Sequence, residues 1–95
     1  LGKRFAGDRE GCARALEAVL ARVEGVDDWA REAIEGAIRP LAEEIGIKTG
    51  ELFGVIRVAV TGKTATPPLF ETMEVLGRRR TVERLRSALS RVANP

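Results

Sequence analysis

Five cations in the second half of the chain are the side chains best suited to binding chemistry. Arg57 lies in an apolar segment, Lys63 in a short polar turn, and Arg78, Arg79 and Arg80 follow one another. Guanidinium groups bind phosphate and base edges through paired hydrogen bonds. The pattern therefore predicts a phosphate-rich partner, with Lys63 and the three consecutive arginines as phosphate contacts. A solvated helix face is the ordinary alternative for such a run of charge.

The turn between residues 62 and 67 could add a backbone site to these cations. Gly62 is typical of a helix end, because glycine adopts the left-handed conformation at no steric cost. Thr66 is predicted to cap the next helix, and Pro67 lacks the N–H that the first turn would leave unbonded. The partial positive charge of that helix start would lie beside Lys63 and near Arg57. Such a turn suits a phosphate or a base edge of RNA, and it also fits an ordinary helix connection.

The chain lacks the residues that most catalytic sites need. It has no histidine, no tyrosine and a single cysteine, which excludes the common histidine-assisted nucleophiles and the usual zinc sites. Residues 61–64 (TGKT) imitate the end of a phosphate-binding loop, but the earlier glycine and the preceding strand are missing. Capping and solubility explain the adjacent carboxylates at 27–28 and 43–44. We therefore predict no catalytic residue, no metal and no cofactor in this chain.

Composition indicates one globular domain that spans residues 1–95. Hydrophobic residues make up 44% and charged residues 32%, and 95 residues suffice for one core. The first fifty residues carry eight Lys and Arg against ten Asp and Glu, whereas the rest carry eight against four. No apolar run approaches the roughly 20 residues that cross a bilayer, and the start has no signal-peptide layout. With Cys12 unable to form an internal disulfide, we expect a cytoplasmic protein without membrane contacts.

Hydrophobic periodicity predicts an all-α fold, a small bundle of about five helices. Each predicted helix has one apolar stripe, and the first four end at Gly25, Gly46, Gly62 and Gly77. The predicted inner residues, helix by helix, are Cys12, Leu16, Val19, Leu20 and Val23; Trp29, Ala33, Ile34, Ala37, Ile38, Leu41 and Ile45; Leu52, Phe53, Ile56, Ala59 and Val60; Leu69, Met73 and Leu76; Val82, Leu85, Leu89 and Val92.

The predicted helix starts are residues whose side chains can accept from the backbone N–H groups of the first turn. In chain order they are Asp8, Asp27 or Asp28, Thr49, Thr66 and Thr81. Pro40 removes one backbone hydrogen bond inside the second helix, so a kink or a break into two short helices is expected near Gly36. The fourth helix is predicted to run from Pro67 to about Leu76.

Three features of the helices have more than one interpretation. Residues 55–60 are rich in β-branched side chains, but no second strand exists to pair with them, so a helix is favoured. Arg57 in this segment is either half of a structural ion pair or a positioned ligand arm. Trp29 is interpreted as a packing anchor rather than a base-stacking platform, because it lies on the apolar stripe.

Three segments of the chain resemble one known family. Residues 41–53 (LAEEIGIKTGELF), 57–71 (RVAVTGKTATPPLFE) and 76–86 (LGRRRTVERLR) are similar, in order and spacing, to the C-terminal anticodon-binding domain of bacterial glutamyl-tRNA synthetases. The resemblance covers residues 28–92, and the first third resembles the family only as an amphipathic helix. The catalytic signatures of these class I enzymes are absent, and the chain does not begin with methionine, which suggests a fragment of a larger synthetase.

The resemblance implies a helical domain that binds the anticodon loop of tRNA(Glu) and positions this tRNA for the catalytic domain of a glutamate–tRNA ligase. By position, Arg57 would hydrogen-bond a base edge or a phosphate, and Thr66 and Pro67 would offer hydroxyl and backbone contacts. Leu69 and Phe70 would supply the apolar surface on which a base lies. The implied partners are tRNA(Glu) and the remainder of the synthetase, whose catalytic domain would use ATP and Mg²⁺.

Two other classes of function stay open on the sequence alone. A helical protein-interaction module could keep the fold and lose RNA binding, with an exposed apolar patch as its contact surface. It predicts that Arg57 and residues 78–80 form ion pairs inside the domain, with Glu51, Glu71, Glu74 or Glu83 as the partners. A helix-turn-helix DNA binder is weaker, because no helix has the polar face that reads bases in the major groove.

Overall fold

Five α-helices make up the part of the chain that the structure describes, which confirms the all-α prediction. The structure is a computed structural model, and it describes residues 9–63 and 68–93. In chain order the helices are α1 (Arg9–Glu24), α2 (Arg31–Ile45), α3 (Thr49–Thr61), α4 (Leu69–Leu76) and α5 (Arg78–Ala93). None of them is long and apolar enough to cross a membrane. The β-branched segment 55–60 lies within α3, so the strand alternative is wrong.

The core lies where the apolar stripes of all five helices meet. The pairing of α1 with α5 is the most extensive, and α2, α3 and α4 pack around that pair. Because each stripe repeats every three or four residues, a helix can bury it while its charged face stays in water. The largest side chains with almost no exposure are Leu16, Val19, Val23, Ile34, Ile38, Leu52, Ile56, Val60, Met73 and Leu85.

Three of the predicted glycine ends are confirmed by their backbone conformation. Gly46, Gly62 and Gly77 follow α2, α3 and α4 with φ of 78°, 76° and 88°. The N–H of Gly62 donates to the carbonyl of Val58 at 2.8 Å, and that of Gly77 donates to Met73 at 3.1 Å. These bonds satisfy carbonyls that the last turn would otherwise leave unpaired.

The starts of α2 and α3 differ from the prediction. α2 begins at Arg31 rather than at Asp27 or Asp28, because the N–H of Ala30 donates to the Asp28 carbonyl at 2.8 Å and Ala30 itself is extended. α3 begins at Thr49 with Lys48 as the residue before it, and no side chain caps either helix. Ala33, predicted to face inward, is exposed.

The starts of α4 and α5 also need correction. α4 begins at Leu69, because Pro68 has ψ of 130° and is not yet helical. The predicted start at Pro67 is therefore two residues early, and the predicted cap Thr66 lies outside the described residues. α5 begins at Arg78, so Thr81 lies one turn inside the helix, where it is buried and its hydroxyl donates to the Met73 carbonyl at 3.4 Å.

Pro40 does not break α2, which contradicts the expected division near Gly36. The helix runs without interruption from Arg31 to Ile45, and Pro40 faces water. The carbonyl that Pro40 leaves without its intrahelical donor belongs to Gly36, which is exposed and can bind water. Four buried side chains hold the two halves of the helix in the core: Ile34, Ile38, Leu41 and Ala42. Their burial outweighs the roughly 3 kcal/mol that an internal proline costs.

A pair of glycine substitutions tests this account of the helix ends. Gly46→Ala should lower the free energy of unfolding by about 1–2 kcal/mol, because an L side chain at φ of 78° is strained although the space around it is open. Gly36→Ala, inside α2 with equally open space, should raise it by roughly 0.5–1 kcal/mol. Urea unfolding measures both, and a shift of the same sign in the two variants would contradict the assigned conformations.

Candidate nucleic-acid interface

Two phenylalanine rings and one arginine meet where α2, α3 and α4 come together. Phe53 of α3 and Phe70 of α4 pack edge to face, with ring centroids 5.0 Å apart and planes at 86°. The guanidinium carbon of Arg39 in α2 lies 5.3 Å from the Phe53 centroid. Both rings are half-buried, so part of each still faces outward. This aromatic cluster (Arg39, Phe53 and Phe70) combines an apolar surface with a cation, as a stacked base requires.

Arg57 lies four residues after Phe53 and therefore on the same side of α3. It is half-buried, as a charged side chain within an apolar segment is expected to be. It also has an interaction partner within the chain. The structural ion pair and the ligand arm both stay predictions for this residue.

The other predicted base contacts have different positions. Phe70 is half-buried beside Phe53, as a surface that receives a base would need. Leu69 is only 3% exposed, so its side chain belongs to the core and anchors α4. The interpretation of Leu69 as part of the base-binding surface is therefore corrected. Thr66 and Pro67 lie outside the described residues, and Lys63 is exposed directly after α3.

The three consecutive arginines lie in different environments. Arg79 and Arg80 are exposed in the first turn of α5, and Arg79 forms an ion pair with Glu83 at 3.4 Å. Among the residues that the structure describes, no carboxylate lies within ion-pair distance of Arg80. That first turn holds no acidic residue, although acidic side chains are the ones that stabilise a helix start. The dipole of the helix start therefore does not favour this choice of residues.

Arg78 turns inward, away from its two neighbours. Its Nη1 donates to the carbonyl of Val23 at 3.3 Å, and its Nη2 donates to the carbonyl of Asp27 at 3.1 Å. The guanidinium carbon also lies 5.1 Å from the Trp29 ring centroid. The guanidinium of Arg78 thus contacts two backbone carbonyls and an aromatic ring of the same chain. Its predicted contact with a phosphate stays a prediction.

A shallow cavity of about 390 Å³ opens beside Phe70 and is lined by charged side chains from the starts of α2 and α4. Arg31 forms an ion pair with Glu71 at 2.9 Å here, and a second with Glu32 at 3.4 Å. The pKa of Glu32 is lowered because its own backbone N–H donates to its carboxylate and because Arg31 is near. The hydrogen bond to Glu32 and the nearby charge of Glu71 raise the pKa of Arg31. With these pKa shifts, Arg31 and Glu32 are both charged at neutral pH.

A larger cavity of about 500 Å³ lies between α1, α3 and α5. Val55, Val58 and Ala59 are the α3 residues that line it, and Arg84 and Arg91 also contribute to its lining. At 100° per residue, that side of α3 faces away from Phe53 and Arg57. This cavity is therefore not part of the aromatic cluster. Within residues 9–63 and 68–93, no group of three or more Cys, Asp and Glu side chains could hold a metal ion.

The fold and the cluster define a small helical domain in which two aromatic rings and the guanidinium of Arg39 lie together. Comparison with known proteins is more specific: the anticodon-binding domain family matches residues 3–89, and the chain belongs to this family. The match confirms the resemblance found in the sequence. It also extends through α1, which sequence analysis had treated as a generic amphipathic helix.

The similar proteins are glutamate–tRNA ligases. The chain is 51% identical over 74 residues to that of Roseiflexus sp. (strain RS-1), covering 78% of this chain and 15% of the relative. It is 43% identical over 93 residues to that of Dehalococcoides mccartyi (strain ATCC BAA-2266 / KCTC 15142 / 195), covering 98% and 19%. The ligase of Mycolicibacterium smegmatis is 51% identical over 81 residues, covering 84% and 17%. The chain thus spans less than a fifth of the length of these relatives.

Sequence analysis did not identify Arg39 as part of the cluster, and it predicted Phe53 as an inner residue without its contacts to Phe70 and Arg39. Phe53 was assigned to the apolar stripe of α3, and the stripe gives no sign that a ring at its edge is only half-buried. Arg39 follows Glu35 by one helical turn, so it resembles an ordinary surface ion pair, which it also forms at 3.0 Å. Neither spacing nor composition could show that its guanidinium lies over a ring contributed by another helix.

Proposed function

We propose that this chain is the anticodon-recognition domain of a glutamate–tRNA ligase and that it binds the anticodon loop of tRNA(Glu). The observation that carries the proposal is the aromatic cluster of Arg39, Phe53 and Phe70, in a chain that belongs to the anticodon-binding domain family. Single-stranded loops are recognised through unstacked bases that stack on aromatic rings and on arginine planes. The cluster offers both kinds of surface within one contact.

In this proposal the residues divide into two groups with different tasks. Phe70, with Phe53 behind it, receives the face of an unstacked base, and Arg57 hydrogen-bonds a base edge or a phosphate. Lys63, Arg79 and Arg80 contact phosphates, which gives affinity and orientation but no sequence discrimination. From the resemblance, Thr66 and Pro67 would add hydroxyl and backbone contacts beside them.

The remainder of the proposed ligase supplies the chemistry. Its catalytic domain would activate glutamate with ATP and Mg²⁺ and transfer it to tRNA(Glu), whereas the proposed role of this chain is to orient the tRNA without a cofactor of its own. We also propose the cytoplasm as the location, because aminoacylation serves protein synthesis there.

The alternative of a protein-interaction module receives little support from the contacts. It predicted that Arg57 and residues 78–80 pair with Glu51, Glu71, Glu74 or Glu83, but Glu71 and Glu74 bind Arg31 instead, at 2.9 and 3.1 Å. In the described part of α5, Arg79–Glu83 is the one ion pair that this alternative predicts, and both of its side chains are exposed. An exposed pair of this sort contributes little to stability and leaves Arg79 able to bind phosphate.

The proposal is tested by binding of this chain to a tRNA(Glu) anticodon stem-loop, with a scrambled loop on the same stem. Arg57→Ala should weaken binding about tenfold or more, because a hydrogen bond to a charged group contributes about 1.5–3 kcal/mol. Arg14→Ala is the matched control, since Arg14 is exposed on α1, a helix that contributes no residue to the cluster. Fluorescence anisotropy measures the dissociation constants. Equal affinity for the two loops would show that the chain binds phosphate without recognising the anticodon.

A further inference from the structure

The position of Phe70 depends on how α4 is held, because α4 is too short to define its own place. It has eight residues, and an isolated helix of that length is not stable in water. Leu69 and Met73 anchor it in the core, and its neighbours are α2, α3 and α5. Any contact that fixes α4 against a distant part of the chain therefore also fixes the aromatic cluster.

Trp29 makes such a contact from the loop between α1 and α2. Its Nε1–H donates to the carbonyl of Met73 at 2.9 Å, across 44 positions of sequence. The same carbonyl accepts from the N–H of Gly77 at 3.1 Å and from the hydroxyl of Thr81 at 3.4 Å. The indole is half-buried, so the loss of this hydrogen bond would leave a half-buried N–H donor unsatisfied and would destabilise the fold. Trp29 thus ties the loop to the last turn of α4.

Arg78 holds Trp29 from the other side. Its guanidinium lies over the indole ring at 5.1 Å, and its two terminal nitrogens donate to the carbonyls of Val23 and Asp27. These carbonyls belong to the end of α1 and to the loop that leads to Trp29. The planar fork of arginine reaches both acceptors and the ring face at once, which the single ammonium of lysine cannot do.

A third contact joins Arg31, the first residue of α2, to α4. The backbone N–H of Arg31 donates to Glu74 at 3.1 Å, and its guanidinium donates to Glu71 at 2.9 Å. Both carboxylates are exposed, so this contact is weaker than the two before it. It nevertheless joins the start of α2 to Glu71 and Glu74 of α4, in addition to the contact of Trp29 with Met73.

We infer that Trp29 and Arg78 are positioning residues for RNA binding: together with the Met73 carbonyl they form a clamp that fixes α4 and hence Phe70. This inference rests on the proposed function and differs from the sequence prediction for Arg78, which then acts through α4 and does not contact a phosphate. Its two terminal nitrogens donate to backbone carbonyls, whereas those of Arg80, two residues on, have no such acceptor within residues 9–63 and 68–93.

Salt dependence separates a positioning arginine from a phosphate contact. Each phosphate contact to single-stranded nucleic acid contributes about −0.7 to the slope of log affinity against log salt. Arg80→Gln should therefore reduce that slope by about 0.7. Arg78→Gln should weaken binding of the anticodon stem-loop about tenfold and leave the slope unchanged. Arg78→Lys should not restore affinity, because the charge alone does not rebuild the clamp.

Trp29→Phe provides an independent variant that keeps an aromatic ring at this position, although a smaller one, and removes the Nε1–H donor. We expect it to weaken stem-loop binding about five- to tenfold, again with an unchanged salt slope. Each variant is measured at a temperature at which circular dichroism shows it to be fully folded, so that a loss of stability does not appear as a loss of affinity. If Arg78→Gln does not fold, Trp29→Phe decides the question.

Two results would overturn the clamp. A slope that falls by about 0.7 in Arg78→Gln, as in Arg80→Gln, would make Arg78 a phosphate contact. Wild-type affinity in folded Trp29→Phe would show that its hydrogen bond serves stability alone. Neither result touches the proposed function, which fails separately if the unaltered chain binds the scrambled loop as well as the anticodon loop.

Discussion

Phe70→Ala is expected to weaken binding of the tRNA(Glu) anticodon stem-loop by about 10- to 100-fold. A base stacked on an aromatic side chain contributes about 1–3 kcal/mol, and about 1.4 kcal/mol corresponds to a factor of ten. Phe70 is the half-buried ring at the start of α4, and its contact with Phe53 at 5.0 Å holds it in one orientation. Isothermal titration calorimetry with the purified chain measures the loss.

Phe70→Leu is the matched control for this substitution. Leucine keeps most of the apolar volume against Phe53 but has no π face, so it separates packing of α4 from stacking of the base. We expect the leucine variant to retain nearly all of the folding stability and to lose most of the binding energy that alanine loses. Full binding by the leucine variant would show that Phe70 only packs, and the base surface would have to be sought elsewhere.

Leu85→Ala should lower the free energy of unfolding by about 2–5 kcal/mol. Leu85 is 0% exposed in the middle of α5, where the stripe of that helix meets the core, and its removal leaves a cavity. Domains of this size are stable by only about 5–15 kcal/mol, so the variant could lose half of its stability. Urea unfolding can be followed through the fluorescence of Trp29, the single tryptophan of the chain.

Val75→Ala is the corresponding surface control. Val75 is 87% exposed on α4, and substitutions of this kind usually change stability by less than about 0.5 kcal/mol. If Leu85→Ala changed stability no more than Val75→Ala does, the arrangement of α5 against the core would be wrong.

The candidate interface is small, and its parts come from elements that are far apart in the sequence. Arg39, Phe53 and Phe70 belong to three helices, and each helix contributes one side chain to the cluster. The cluster therefore exists only when all three helices are packed. This arrangement makes RNA binding sensitive to anything that moves α4, the shortest of the five helices.

Sequence alone determined the features that depend on local chemistry. The helix ends at Gly46, Gly62 and Gly77 were predictable because a left-handed residue favours glycine wherever it occurs. The core positions followed from the spacing of apolar residues, since a helix brings every third or fourth side chain to the same face. The resemblance to the anticodon-binding family also came from the order of local motifs, and the family match confirmed it.

Tertiary structure alone decided which polar and aromatic side chains meet. The indole N–H of Trp29 donates to the carbonyl of Met73. The loop that contains Trp29 continues to Ala30, so α2 begins only at Arg31. Arg78 and Arg80 are two residues apart and chemically identical, yet one binds the carbonyls of α1 and the following loop while the other faces water. Sequence could not separate them, because their environments are set by residues more than fifty positions away, and those contacts form only when the helices pack.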